Sequence, residues 1–390
     1  MMNLTNKHSQ TQSPVTERAG EPFASHEFRL SMRQWAVVSA LVILVLTMVS
    51  PLWQRIEPLA VSKDHRMPYE LSEDYWLYSR LGLAAAKRSR TLVVGDSVIW
   101  GQYVTPAETL TGHLNVLAGD SRFVNLGLNG AYPAALSGLI EHYCKTLCNQ
   151  SILLHCNPLW LASDRHDLRA TTKRASINHP GLLPQFVPWL ACYDAMIDER
   201  LQVVAERTLP YNSWAKHLRV AYFHNADIPA WTVEHPDRNP VTAITLKLPA
   251  PQARPRRKGV SWMASGLQRT AFPWVELDSS VQWDCFKRLL KVLTARGNRV
   301  FVCIGPLNEH MLTDQSRQVY LAVRSGMQNY LKDNDIPYVV PEVLPSEFYA
   351  DASHPLSKGY ELLARSLYED SSFAHFAGML PKENLDADRE

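Results

Sequence analysis

The sequence contains no Cys-x-x-Cys pair and only six cysteines in 390 residues. That excludes a zinc site of paired thiolates and a disulfide-stapled miniprotein. Charge imbalance is equally scarce: 40 Lys and Arg against 38 Asp and Glu leave a net charge of +2. A field so weak does not make nucleic acid the principal ligand. No residue type dominates, and 46% hydrophobic with 20% charged residues excludes a collagen-like or wholly disordered chain. One large or two modest domains fit the length.

Charge is missing altogether from one stretch, the 21 residues from Gln34 to Gln54, bracketed by Arg33 and Arg55. A helix of that length covers roughly 30 Å, the thickness of a bilayer's hydrocarbon core. Trp35 and Trp53 fall at its two ends, where indole rings favour the water interface. A soluble core helix seldom runs this far without charge. A cleaved signal peptide needs a shorter apolar run and small residues at its end, where this chain has Pro51, Leu52 and Trp53. The expectation is one uncleaved spanning helix at 34–54. Arg18, Arg29 and Arg33 before it and Arg55, Lys63 and Arg66 after it nearly balance, so charge does not set its orientation. Residues 1–33 read as an unfolded tail, 55–89 as a linker and lead-in, and 371–390 as a second tail.

Between these ends, strand and helix patterns alternate. TLVVG after Arg90, RFVNLGL at 122–128, SILLH at 151–155, RVFVCIG at 299–305 and PYVV at 337–340 predict five strands. Leu110, Leu114 and Leu117 recur at helical spacing, as do Ala135, Leu139, Ile140 and Tyr143 within 133–147. Trp283, Phe286, Leu290 and Leu293, stopped by Gly297, repeat the pattern, followed by Val323, Met327 and Leu331. Leu356, Tyr360, Leu363 and Leu367 mark a last amphipathic helix. The class is α/β, with a five-stranded, mainly parallel sheet covered on both faces and ligands bound beyond the carboxyl ends of its strands. The rhythm breaks at 163–280, an insertion with a helical piece near 188–206 and the basic run RPRRK at 254–258. It reads either as a lid or substrate platform or as a surface excursion.

Three strand ends carry residues suited to acyl transfer: Ser97 in GDS, Gly130 in NLGLNG and Asn157 in HCNP. Asp351 and His354 in DASHP follow the fifth strand. These blocks, GDSVIWG with Gly95, Asp96, Ser97 and Gly101, the N-x-G-x-N-G sequence from Asn125, Asn157, and DASHPLSKGYELLA, resemble in order those of the SGNH (GDSL-type) hydrolase family over about residues 90–370. The resemblance implies a flavodoxin-like three-layer fold and hydrolysis or transfer of an ester-bound acyl group. The third block differs, since His155-Cys156-Asn157-Pro158 stands where the family has Gly-x-Asn-Asp. An α/β-hydrolase elbow is excluded because Ile99 occupies the place of its second glycine.

The chemistry reads consistently. A serine hydroxyl needs a base, which His354 supplies, while Asp351 fixes the imidazole's tautomer and stabilises its charged form. The oxyanion that develops needs donors, for which the backbone N–H of Ser97 and Gly130 and the amide of Asn157 are the candidates. Asn308 and Glu309 in GPLNEHM are candidates either for lining the substrate cleft or for a helix-start turn. His142, Cys144, Cys148, His155 and Cys156 look metal-like, but two of the cysteines fall on a predicted helix. Packing or a disulfide is the expectation, with no metal and no cofactor.

The leading expectation is a membrane-anchored serine esterase or O-acyltransferase acting on acyl, chiefly acetyl, esters of a cell-envelope carbohydrate, with its body on the periplasmic or extracellular side. The resemblance extends to envelope proteins that work beside a multispanning acyltransferase. The alternative is a non-catalytic SGNH-like module that binds acylated glycan or such a membrane partner. Nucleic acid is not an expected partner.

Overall fold

The structure, a computed structural model, describes residues 30–59, 66–87, 90–167, 178–190, 192–249, 254–255 and 257–379. Arg18, Arg29, Lys63, Arg256, most of the expected N-terminal tail and residues 380–390 lie outside the described residues. The described residues fall into two compact units, divided between Val45 and Leu46. Helix α1, Met32–Ile56, contains the expected span and is long and apolar enough to cross a membrane, with a mean hydropathy of 2.3 over its most apolar window.

The body begins with α2 (Tyr75–Ala86), β1 (Thr91–Gly95), α3 (Ser97–Trp100), α4 (Leu110–Ala118), β2 (Phe123–Gly127), α5 (Pro133–Gly138) and β3 (Ser151–Cys156). The insertion supplies α6 (Asp164–Asp167), α7 (Ile197–Thr208), α8 (Pro210–Tyr222), α9 (Ile228–Glu234) and α10 (Pro240–Ala243). After it come α11 (Val281–Ala295), β4 (Arg299–Ile304), α12 (Asp314–Asp333), β5 (Tyr338–Val339), α13 (Ser357–Glu369) and α14 (Ser371–Phe376).

All strand pairs are parallel, in the order β2-β1-β3-β4-β5. Leu92 lies between Val124 and Ile152, and Ile152 pairs in turn with Val300. Alternation along β1 sends Leu92 and Val94 into one apolar core with α2, α5, α11 and α12, and Val93 into another with α4, α13 and α14. Helices therefore cover both faces. Full burial of each such Leu or Val contributes about 1.5–3 kcal/mol. Because β2 and β3 lie on opposite sides of β1, the chain leaves the carboxyl end of β1 at a switch point, where a crevice opens.

The body extends further at both ends than the sequence pattern predicts. Met67, Leu71 and Tyr75 of the expected lead-in belong to the main core, and Trp100 Nε1 donates to Met67 O at 2.9 Å. At the other end α14 replaces the first part of the expected tail, because Phe373 and Phe376 pack on Phe301. The helix predicted over 133–147 ends at Tyr143, after one wide turn at Leu139–Tyr143. There Arg296 Nη1 takes the carbonyls of Ile140 and Cys144, each at 3.0 Å. Cys144 and Cys148 are thus off the helix, and no disulfide joins any of the six cysteines, five of which are buried. The helical piece expected near 188 starts at Ile197 instead. Arg200 holds the preceding loop open by donating to the carbonyls of Gln185, Tyr193 and Ala195. The insertion also has an apolar cluster of its own, Leu218, Tyr222, Phe223 and Trp231.

Candidate active site

Asp96 follows β1 and caps α3, its Oδ1 accepting the Val98 N–H at 2.9 Å, so Ser97 is the first helical residue. Val98, Ile99 and Trp100 are buried and pin this short turn. Tyr360 O–H donates to Val98 O at 2.6 Å, and Asn125 Nδ2 to Ile99 O at 2.7 Å. The turn that carries the Ser97 hydroxyl is thereby held from α13 and from β2.

The loop before α13 brings His354 to this hydroxyl. Its Nε2 lies 2.8 Å from Ser97 Oγ, and its Nδ1 lies 2.8 and 2.9 Å from the two oxygens of Asp351. A carboxylate only accepts, so Nδ1 carries the proton in the neutral ring, and Nε2 is left to accept from Ser97. Asp351 Oδ1 also accepts the N–H groups of Ser353 and His354, each at 3.0 Å, and Oδ2 accepts the Tyr103 O–H at 3.2 Å. Burial favours the protonated acid, but His354 and these donors outweigh it and bring Asp351 down to about 2. For His354, burial favours the neutral ring, yet Asp351 and Asp96 outweigh it and raise the imidazole above its ordinary value.

Gly130 and Asn157 face the same space. With Ser97 and His354 they line a cavity of about 260 Å³ whose apolar wall includes Tyr132, Leu159 and Trp160. Gly130 has φ +76°, a left-handed backbone that other residues avoid, and a Cβ there would stand 2.8 Å from Asn178 Nδ2. Asn157 is oriented at both ends: Oδ1 accepts the Leu159 N–H at 3.0 Å, and Nδ2 donates to Asp96 Oδ2 at 2.8 Å. Among the described residues, the second Nδ2 hydrogen and the backbone N–H groups of Ser97 and Gly130 have no protein acceptor. Three donors are therefore available beside one hydroxyl.

Asp96 organises this end of the site. It also accepts Trp160 Nε1–H at 3.0 Å, and His155 Nδ1 lies 3.1 Å from its Oδ1 without hydrogen-bond alignment. Burial raises the Asp96 carboxyl, but His155 and Asn157 outweigh that and keep it below its ordinary value. His155 fits in the third block because Gly95 leaves room, since a Cβ at 95 would stand 2.7 Å from the His155 Cβ.

Tyr103, Trp160 and Asn178 were not foreseen as site residues. Trp160 and Tyr103 stand close to recognised blocks, a usable signal, whereas nothing local marks Asn178. His179 beside it stitches the insertion to the second block, with Nε2 2.7 Å from Asn129 O and Nδ1 3.1 Å from Tyr75 Oη. Burial lowers the His179 imidazole, so the neutral ring donates from Nε2 and accepts from Tyr75.

Asn308 and Glu309 do not line this cavity. Asn308 braces the Asp351 loop from behind, its Nδ2 donating to Asp351 O at 3.1 Å and its N–H to Ala352 O at 2.9 Å. Glu309 opens a short turn, Glu309–Met311, and pairs with Arg317 at 3.1 Å and Arg324 at 2.8 Å. Among the described residues no group of three or more His, Cys, Asp or Glu is placed to hold a metal ion. No protein-family model matches the chain, and no curated protein matches it significantly.

Proposed function

We propose that this protein is a membrane-anchored serine esterase or O-acyltransferase of the SGNH (GDSL-type) kind, acting on acetyl or similar small acyl esters of a cell-envelope carbohydrate. One observation carries the reading: a serine hydroxyl at 2.8 Å from an imidazole whose other nitrogen rests on a carboxylate, at the mouth of a cavity with three unused donors. Ser97 Oγ attacks the ester carbonyl as His354 Nε2 takes its proton. The carbonyl oxygen becomes an oxyanion and accepts from Ser97 N–H, Gly130 N–H and Asn157 Nδ2–H. Collapse expels the alcohol, which leaves with the proton from His354, and the acyl group stays on Ser97. Water or a sugar hydroxyl then attacks, again losing its proton to His354, and releases the acid or a new ester. The strand order supports a flavodoxin-like arrangement, and the small cavity supports a short acyl group.

Helix α1 supports a single-pass anchor, and a carbohydrate substrate of the envelope puts the body on the periplasmic or extracellular face, beside a multispanning acyltransferase if transfer is the reaction. Full-length protein in lipid nanodiscs is expected to turn over p-nitrophenyl acetate and to be labelled by a fluorophosphonate at Ser97. Absence of both overturns the reading and leaves a glycan-binding module. Protease digestion of the body in intact cells tests the side of the membrane.

A further inference from the structure

A second, larger cavity of about 490 Å³ lies further along the two chain segments that line the first. Residues 129–132 and Asn178 border the space at Ser97, whereas Ala134, Ser137 and Gly138 of α5, with residues 184–190, border the second. Helical rise carries the chain only about 9 Å from Tyr132 to Gly138. The two spaces are therefore neighbours along α5.

The outer wall of the second cavity displays apolar side chains to solvent, with Val187 84% and Trp189 62% exposed. This display is built rather than loose. Arg200 is fully buried, its guanidinium 4.0 Å from the Trp189 ring centre and 4.6 Å from that of Tyr193. It donates to Tyr193 O at 2.6 Å, to Ala195 O at 3.1 Å and to Gln185 O. Burying an arginine is costly, and here it fixes the loop that holds an indole at the surface. The rest of the lining is mainly apolar but carries a polar group of side chains: Glu141 accepts from Ser137 Oγ at 3.1 Å and from Arg288 Nη2 at 2.6 Å. An indole in the same lining as a carboxylate, a guanidinium and a hydroxyl suits a sugar ring, whose C–H face stacks on the indole while its hydroxyls exchange with the polar side chains.

We propose that this cavity is a carbohydrate subsite, which holds the sugar chain whose ester is handled at Ser97. The inference rests on the esterase or transferase reading for the choice of ligand. It gives the insertion a task as substrate platform, and it makes the protein select oligosaccharides long enough to reach both spaces.

The test uses full-length Ser97→Ala protein in nanodiscs and a panel of partly O-acetylated cello-, xylo-, manno- and chito-oligosaccharides, each as disaccharide and hexasaccharide, measured by titration calorimetry. At least one hexasaccharide is expected to bind more tightly than its disaccharide. Adding Trp189→Ala should weaken it about tenfold, and Trp189→Phe should recover part of the loss. No binding across the panel, binding indifferent to Trp189, or Trp189-dependent binding of palmitate in place of sugar overturns the proposal. Wild-type turnover of p-nitrophenyl acetate reads the catalytic centre separately. Turnover without sugar binding removes the subsite alone, while Trp189-dependent sugar binding without turnover removes the catalytic reading.

Discussion

His354 and His217 are both buried imidazoles held by carboxylates, yet their surroundings suit them to opposite tasks. His354 has one carboxylate, on Nδ1, and its Nε2 faces the Ser97 hydroxyl at the edge of a cavity. His217, on α8, has carboxylates on both nitrogens: Asp74 at 2.6 Å from Nδ1 and Glu57 at 2.9 Å from Nε2. Glu57 also pairs with Arg80 and accepts from Tyr222 Oη at 2.5 Å, and the imidazole and both carboxylates are sealed from solvent. Burial works against charge at His217, but Asp74 and Glu57 outweigh it and hold the ring up to about 9. Burial likewise raises Glu57, and His217, Tyr222 and Arg80 outweigh it and bring it down to about 2. His217 is therefore a fixed cation, a clasp between the segment after α1 and the insertion. A general base needs one nitrogen without a proton, and that depends on what faces the second nitrogen.

The sharpest way to separate the two centres is to remove the hydroxyl. Ser97→Ala should lower p-nitrophenyl acetate turnover by about 10⁴-fold or more, with the melting temperature nearly unchanged. An equal fall in stability would make Ser97 a packing residue. Next in size, His217→Leu leaves buried Asp74 without a cation and Glu57 with only Arg80 and Tyr222, and should cost about 3–5 kcal/mol of stability in denaturant titrations. The molecules that stay folded should still take a serine label, and a fold that keeps full stability without labelling would reverse the assignment of the two histidines. Asn157→Ala removes one proposed oxyanion donor and should cost about 3–4 kcal/mol in the barrier, read as kcat on the same ester. A kcat within twofold of wild type would remove Asn157 from the oxyanion site.

The smallest effect separates the centres by pH. His354 must be neutral to accept a proton, so its raised value places the rising limb of kcat/KM above the ordinary 6.5. Asp96→Asn removes one cause of that shift and should move the limb toward lower pH. The clasp has the opposite sign. Its His217 contribution is full below 6.5 and is lost as pH rises through about 9, while its Glu57 contribution is full above 4.5 and is lost as pH falls through about 2. Stability should thus decline over the alkaline range in which activity rises, and a limb and a stability curve that move together would contradict the distinction.

How much of this was legible in the sequence follows from the range over which each interaction acts. The first four strands are continuous apolar runs because both faces are buried, and they were readable almost to their ends, whereas the half-buried edge strand β5 keeps only Tyr338 and Val339 of its expected run. The order of the Ser97, Gly130 and Asn157 blocks was readable because each follows the end of a strand, and that of His354 because it stands just before the last amphipathic helix. The clasp was not, since His217 lies 160 residues from Glu57 and 143 from Asp74, with no periodicity to connect them. Asn178 against Gly130 was hidden for the same reason. The loop before α7 was misread as helix because its apolar residues suggest a buried face, whereas Arg200 fixes Trp189 outward. Phe373 and Phe376 did offer a local signal, an aromatic pair at helical spacing beyond a helix already recognised.

The hydroxyl and its imidazole are separated by 257 positions. A ribosome adding about 5–20 residues per second finishes the first roughly 13–50 s before the second. Throughout that interval the growing polypeptide holds the first strand's sequence and the serine turn but no proton acceptor for them, so the proposed chemistry has it silent toward esters. On the proposed reading, competence arrives only once position 354 has been added, and any chain cut short upstream of it stays inert however well its earlier part folds.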